Sequence, residues 1–136
     1  MPDRGVIKNR RRGSQIRDFS KLRIGNITPT DLDMLIEYYN QCFVFCETKH
    51  SGADLPDGQS LALERLCDAC EHAGKPSILF ITVHDSDAGE DIDMGMTIVI
   101  SYRYKLRWQT PKEPIYLKDA VLGFIEKQTA AYYEAH

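Results

Sequence analysis

The segment Cys42-Phe-Val-Phe-Cys-Glu47-Thr-Lys49 is apolar at every position until Glu47. An extended strand sends alternate residues to opposite faces. This one therefore needs apolar cover on both sides and belongs inside a sheet. Met34 to Tyr39 reads as a second strand, rich in apolar and aromatic residues, with Asn40-Gln41 as the turn of an antiparallel hairpin. Apolar positions 63, 66, 67, 70 and 73 recur at helical spacing. A helix is expected from about Gln59 to Ala73, stopped by Gly74-Lys-Pro76. Ser77 to His84 is a further buried strand, and a strand reached through one helix runs parallel to its predecessor. The expected fold is α/β, with a mixed central sheet (an antiparallel hairpin plus a parallel crossover strand) flanked by helices.

The flanking segments are less constrained. Residues 14–24 mix apolar and basic positions and suit a short helix or an edge strand, whereas residues 1–13 read as a loose basic tail. Met96 to Tyr102 suggests another strand, followed by Arg103, Lys105, Arg107 and Trp108. Residues 117–135 read as a closing amphipathic helix with Leu117, Val121, Phe124, Ile125 and Tyr132 inward. The expected division is a basic arm, residues 1–24, and one domain, residues 25–136. A chain of 136 residues, 43% hydrophobic and 27% charged, can build one real core. No apolar run approaches the ~20 residues of a membrane span, and the basic N-terminus lacks the apolar stretch of a secretory signal.

The net charge of −3 hides an asymmetry. Residues 1–24 hold eight Lys/Arg and two acids, residues 25–100 hold three and fourteen, and residues 101–136 hold six and four. Basic ends suit a polyanion and an acidic middle suits a cation, although charge runs are often only solvated faces. Of the four cysteines, Cys67 and Cys70 have zinc-like spacing. The simpler reading places Cys42 and Cys46 with Val44 on one strand face, and Cys67 and Cys70 with Leu63 and Leu66 on one helix face, as small core hydrophobes. Reduced thiols imply the cytoplasm.

The chemistry-bearing residues gather at the ends of the hairpin. Asp31 and Asp33 precede the first strand, and Glu47 and Lys49 close the second. Alternation puts Asp31 with Asp33 on one face of theirs, and Glu47 with Lys49 on one face of theirs. Whether the two faces coincide depends on the turn, because a shift of one residue flips one set. Paired carboxylates can hold a divalent cation, and a lysine beside them can steer or activate a water. Each residue alone has a structural reading: Asp31 as a turn residue after Pro29, Glu47 and Lys49 as a solvated ion pair, and Gln59 as a helix-start residue. The acidic loop with Asp85, Asp87, Glu90, Asp91 and Asp93 lacks the closing Glu and periodic ligands of a calcium-binding loop and reads as a solvated turn. His50 and His84 read as polar surface.

In this order (acid, hairpin, Glu-x-Lys, Gln, helix, parallel strand) the chain resembles the PD-(D/E)XK nuclease superfamily over about residues 27–84. Its layout is most similar to the small archaeal Holliday-junction resolvases and virus-type replication-repair (VRR-NUC) nucleases. Pro29-Thr-Asp31-Leu-Asp33 stands at the Pro-Asp motif, Glu47-Thr48-Lys49 at Glu-x-Lys, and Gln59 at the glutamine opening the next helix. The resemblance implies a restriction-endonuclease-like core and a Mg²⁺- or Mn²⁺-dependent deoxyribonuclease. It implies that Asp33 and Glu47 bind the metal with the Thr48 carbonyl, that Lys49 orients or deprotonates the attacking water, and that Gln59 positions the lysine, a phosphate or a water. Asp31 competes with Asp33 or assists it. The further acid that many members supply from an N-terminal helix has no clear counterpart here.

On that reading the phosphate contacts are Arg10, Arg11, Arg12, Arg17, Lys21 and Arg23 at one end, and Arg103, Lys105 and Arg107 at the other, with Trp108 stacking on a base or ribose. No base-reading module is visible, so recognition of DNA structure is expected: a junction, flap, nick or end. A symmetric homodimer would suit a branched substrate. The competing expectation is a non-catalytic DNA- or protein-binding protein on the same scaffold.

Overall fold

The computed structural model describes residues 5–51 and 57–135, without the side chains of residues 12 and 57–60. Its contacts divide the chain into two units, Met1–Thr30 and Asp31–His136.

The second unit is an α/β sandwich. Its five strands are β1 (Met34–Tyr38), β2 (Cys42–His50), β3 (Ser77–His84), β4 (Ile98–Tyr104) and β5 (Arg107–Gln109), lying in that order across the sheet. The β2–β3 pair is parallel, and the other three pairs are antiparallel. The parallel crossover is made by the helix Asp57–His72, here α2, and the chain closes with α3, Leu117–Ala135. The mixed sheet read from the sequence is present, with β2 and β3 as its buried centre.

Each face of the sheet takes one helix. Cys42, Val44 and Cys46 of β2, with Ile78 and Phe80 of β3 and Val99, pack with Leu117 and Phe124 of α3. On the opposite face Phe45, Leu79 and Ile81 pack with Leu63 and Cys67 of α2. This sorting is the strand's two-residue alternation made visible. Strand β1 is covered on one side only: Met34, Ile36 and Tyr38 are half-buried, and Leu35 and Glu37 are exposed.

The termination of α2 follows from Gly74. Its φ of +85° admits a left-handed C-cap, in which Lys75 N–H bonds Cys70 O at 3.0 Å and Gly74 N–H bonds Glu71 O at 3.0 Å. Pro76 then ends any continuation, and Phe43 N–H donates to its carbonyl at 3.1 Å, setting the first rung of the parallel ladder.

Several expectations need correction. Leu66 is 43% exposed, because the buried stripe of α2 runs through Leu63 and Cys67. Tyr132 is 40% exposed, since the buried residues of α3 end at Gln128 and its last turns run past the core. The strand expected at Met96 starts at Ile98; Met94–Met96 is a 3₁₀ turn whose Gly95 N–H is capped by Asp93 Oδ1 at 3.1 Å.

In the first unit, Arg10–Gly13 forms one helical turn within the stretch expected to be loose. Residues 14–24 are neither a regular helix nor an edge strand. They hold the 3₁₀ turn Ser20–Leu22, and Ile24 pairs with Ile27 around Gly25-Asn26.

Candidate functional site

The register of the β1–β2 hairpin decides which side chains meet. Met34 pairs with Cys46 and Tyr38 with Cys42. One residue before the ladder begins, Asp33 stands opposite Glu47; Leu32 packs with the α2-side cluster, so strand alternation has stopped there and Asp31 lies outside the ladder. Directly opposed residues of an antiparallel pair project from the same face. The open question of the two faces is thus answered by the turn. Three residues, Tyr39, Asn40 and Gln41, separate the last pair, where a two-residue Asn40-Gln41 turn would have opposed Asp33 to Thr48. Tyr39 and Asn40 both lie in the left-handed region, with φ of 46° and 59°, and Gln41 N–H bonds Tyr38 O at 2.8 Å. The result is a type I′ turn followed by one extra residue.

Hydrogen bonds tie the rung together. Thr48 N–H donates to Asp33 Oδ2 at 2.9 Å, so the carboxylate occupies the place of the next β1 backbone acceptor. Successive residues of a strand alternate the side to which their N–H and C=O point. Phe43 and Ser51 donate toward β3, so Thr48, of opposite parity, directs its carbonyl toward the β1 side. Asp33 acts on the Glu47 carboxyl through both its side chain and its backbone N–H.

The electrostatics of the pair are unusual. Glu47 is 2% exposed, whereas Asp33 is exposed and Lys49 half-buried. Burial first, then the hydrogen bond and negative charge of Asp33, push the Glu47 carboxyl up from an ordinary 4.5 to about 8; the Lys49 ammonium pulls the other way. At neutral pH the pair therefore retains a proton. A divalent cation would supply the positive charge that this proton now provides. Among the described residues no group of three or more His, Cys, Asp or Glu side chains converges. A cation here would rest on Asp33, Glu47 and the Thr48 carbonyl, with waters completing its shell. That all-oxygen set fits Mg²⁺ or Mn²⁺ and not a thiolate-bound metal. Cys67 and Cys70 form no such centre: Cys67 is buried against α2's sheet-facing core, and burial pushes its thiol up to about 12.

The remaining sequence-derived residues fall in three places. Gln59 is the third residue of α2, and its side chain lies outside the described residues, as does that of Arg12. Arg10, Arg11, Arg17, Lys21 and Arg23 are exposed in the first unit, where Arg17 Nε bonds Ser14 O at 2.6 Å and Arg23 Nε bonds Gly25 O at 2.8 Å. Lys105, Arg107 and Trp108 are exposed on the β4–β5 hairpin.

Arg103 has a different occupation. Its Nε and Nη2 grip Asp68 at 2.9 and 2.7 Å, and its Nη1 lies 3.2 Å from Glu64. Glu64 also accepts from Trp108 Nε1 at 2.7 Å, and the Arg103 guanidinium lies 5.9 Å from the Trp108 ring centre. This network bolts β4 and β5 to α2, so Arg103 is engaged within the fold. The sequence signal was the acid pair Glu64 and Asp68 at helical spacing, opposite a strand arginine.

No protein-family model, curated protein or solved structure matches this chain. Among the described residues no helix is long and apolar enough to cross a membrane.

Proposed function

We propose that this protein is a metal-dependent deoxyribonuclease of the PD-(D/E)XK type, with a restriction-endonuclease-like core and Asp33, Glu47 and Lys49 at its centre. The observation that carries the reading is the hairpin register, which brings the two acids face to face beside Lys49. Nothing in folding favours burying Glu47 against a second carboxylate. Like charges gathered at the expense of stability are typical of a site that awaits a cation.

Asp33 and Glu47, with the Thr48 carbonyl, would hold Mg²⁺ or Mn²⁺, which would supply Lewis-acid polarisation of the scissile phosphate and offset the charge that builds there. Lys49, held on the same face by the attraction of Glu47, orients the attacking water and, once its ammonium has given up a proton to solvent, can take the water's proton as the free amine. Asp31, exposed just before β1, assists Asp33 at the metal. Gln59, the third residue of α2, is assigned the positioning of the lysine, a phosphate or a water by the resemblance alone. The first-unit cations Arg10, Arg11, Arg12, Arg17, Lys21 and Arg23, together with Lys105 and Arg107, supply phosphate contacts. With no base-reading element among the described residues, DNA is selected by structure, and a homodimer presents two such sites to a branch.

The test uses labelled four-way junction, flap, single-stranded and linear duplex DNA, each with Mg²⁺, Mn²⁺ or EDTA, beside Glu47→Ala and Lys49→Ala. Metal-dependent cutting lost in both variants is the expected result. Absence of cutting, with wild type and variants binding DNA alike, would leave a binding protein on a nuclease scaffold.

A further inference from the structure

We propose that the cleft at the end of β3 receives the basic, aliphatic turn at residues 20–27 of a second copy of this chain. The inference goes beyond the nuclease reading: it gives the homodimer an interface, and it holds whether or not the carboxylate pair cuts DNA.

The turn is built from specific bonds. Leu22 N–H donates to Phe19 O at 2.9 Å, and Ile24 and Ile27 exchange backbone hydrogen bonds at 2.8 and 2.9 Å around Gly25, whose φ is +60°. Arg23 Nε closes the turn on Gly25 O at 2.8 Å. On this frame Leu22, Ile24 and Ile27 are 61, 77 and 70% exposed. Lys21 and Arg23, both exposed, flank them. Three aliphatic side chains held in water on a hydrogen-bonded backbone point to burial against a partner.

The second unit carries a surface of the converse chemistry. A cleft of about 420 Å³ opens at the end of β3, lined by Asp85, Asp91 and Asp93 and by Ile92, Met96 and Tyr116, with no lysine or arginine in its walls. All six of these residues are exposed. The carboxylates suit the two cations of the turn, and the apolar walls suit its aliphatic side chains. Val83 and His84 complete the lining, and they pair with Lys49 and His50. A copy docked here therefore stands at the end of the sheet that holds the carboxylate pair.

The occupant follows from charge and from side-chain type. Nucleic acid offers phosphates to Lys21 and Arg23 but little to Leu22, Ile24 and Ile27, because bases stack on aromatic rings. The acidic cleft repels nucleic acid. Residues 25–100 hold fourteen acids against three Lys/Arg, and residues 1–24 hold eight Lys/Arg against two acids, so this one sequence contains both complementary surfaces. Reciprocal exchange about a two-fold axis makes two identical contacts and closes the assembly at two copies. Arg10, Arg11 and Arg17 remain for phosphates.

The test is sedimentation velocity of the full chain in EDTA, without DNA, over a micromolar concentration series. Wild type should dimerise at low salt, and high salt should weaken the dimer. One variant reverses the turn (Lys21→Glu with Arg23→Glu), and another reverses the cleft (Asp85→Lys with Asp91→Lys). Each should weaken dimerisation by about tenfold or more, with urea unfolding checking that each still folds. Their equimolar mixture should dimerise like wild type, because one of its contacts is native and the other is complementary with the signs exchanged. A wild type that stays monomeric, variants that dimerise like wild type, or a mixture as weak as its components would overturn the proposal. A monomer that floats with phosphatidylcholine–phosphatidylglycerol vesicles, and ceases to with Leu22→Ser and Ile24→Ser, would overturn it in favour of a membrane surface. Metal-dependent cutting is read in a separate assay, so either result can fail without the other.

Discussion

Glu47→Gln in the metal-free protein tests the carboxylate pair without any substrate. In the fold the Glu47 carboxyl is pushed from 4.5 to about 8, by burial first and by Asp33 next. A group that holds its proton more tightly folded than unfolded contributes stability in full below its unfolded pKa, and loses it as pH rises through its folded value. The window therefore runs from about pH 4.5 to pH 8. Each tenfold in proton affinity is worth about 1.4 kcal/mol, so the whole loss across that window is about 5 kcal/mol. A glutamine preserves the shape and can donate to Asp33, but it has no proton to lose. Urea unfolding in EDTA at several pH values should show wild-type stability falling by about 1.4 kcal/mol per pH unit, and the Glu47→Gln curve nearly flat through the same window. Saturating Mg²⁺ at pH 8 should restore wild type by about 3 kcal/mol at a hundredfold excess over its dissociation constant, and leave the variant unmoved. Parallel pH profiles for the two proteins would refute the argument, because the proton would then not reside on Glu47.

Three other outcomes follow from the fold. Arg103→Ala leaves Asp68 and Glu64 facing each other half-buried and should cost about 2–3 kcal/mol in urea unfolding; Arg103→Lys should recover only part, since an ammonium cannot make the two-pronged grip. In the β4–β5 hairpin, Lys105 and Leu106 occupy the two left-handed turn positions, with φ of 50° and 68°. Replacing them with Asn-Gly should raise stability by about 1–2 kcal/mol, read as a higher melting temperature. Thiol titration of the native protein at neutral pH should label Cys70 fastest, because Cys42, Cys46 and Cys67 are buried and burial raises their thiols, Cys46 and Cys67 to about 12; rapid labelling of all four would contradict the packing.

The centre of the sheet was legible because burial on two faces leaves few alternatives. An apolar run such as Phe43 to Cys46 has no stable place at an edge, and Gly74-Lys-Pro76 can stop a helix in few ways. The margins were less legible for the converse reason. Leu66 and Tyr132 share the periodicity of buried neighbours, yet their exposure depends on how far the sheet extends beneath each helix, which no local pattern contains. Met96 looked like strand by composition, but Asp93 and Gly95 offered a cap that the backbone took instead. Arg103 read as a phosphate contact because its partner Asp68 lies 35 residues away, on α2.

The candidate site shows the same division at a single turn. The parity of residues 33, 47 and 49 is written in the sequence, but the face they share depends on one residue of loop length. Asn40-Gln41 reads as a natural two-residue turn, and that register would have separated Asp33 from Glu47. The chain instead places Tyr39 in a left-handed conformation that an unbranched propensity argument disfavours. Asn40 N–H donates to Glu37 Oε2 at 2.5 Å and Lys75 Nζ donates to Asn40 O at 2.6 Å, and these bonds hold it there. The hairpin thus accepts local strain at Tyr39 and electrostatic strain at Glu47 together, and the first is what permits the second. Deleting Gln41 leaves a two-residue Tyr39-Asn40 turn and keeps Tyr38 opposite Cys42, so the register, and with it the raised Glu47 carboxyl, should persist. The pH–stability profile of that variant should keep the wild-type slope; a flat profile like that of Glu47→Gln would show that the register does not govern the pair.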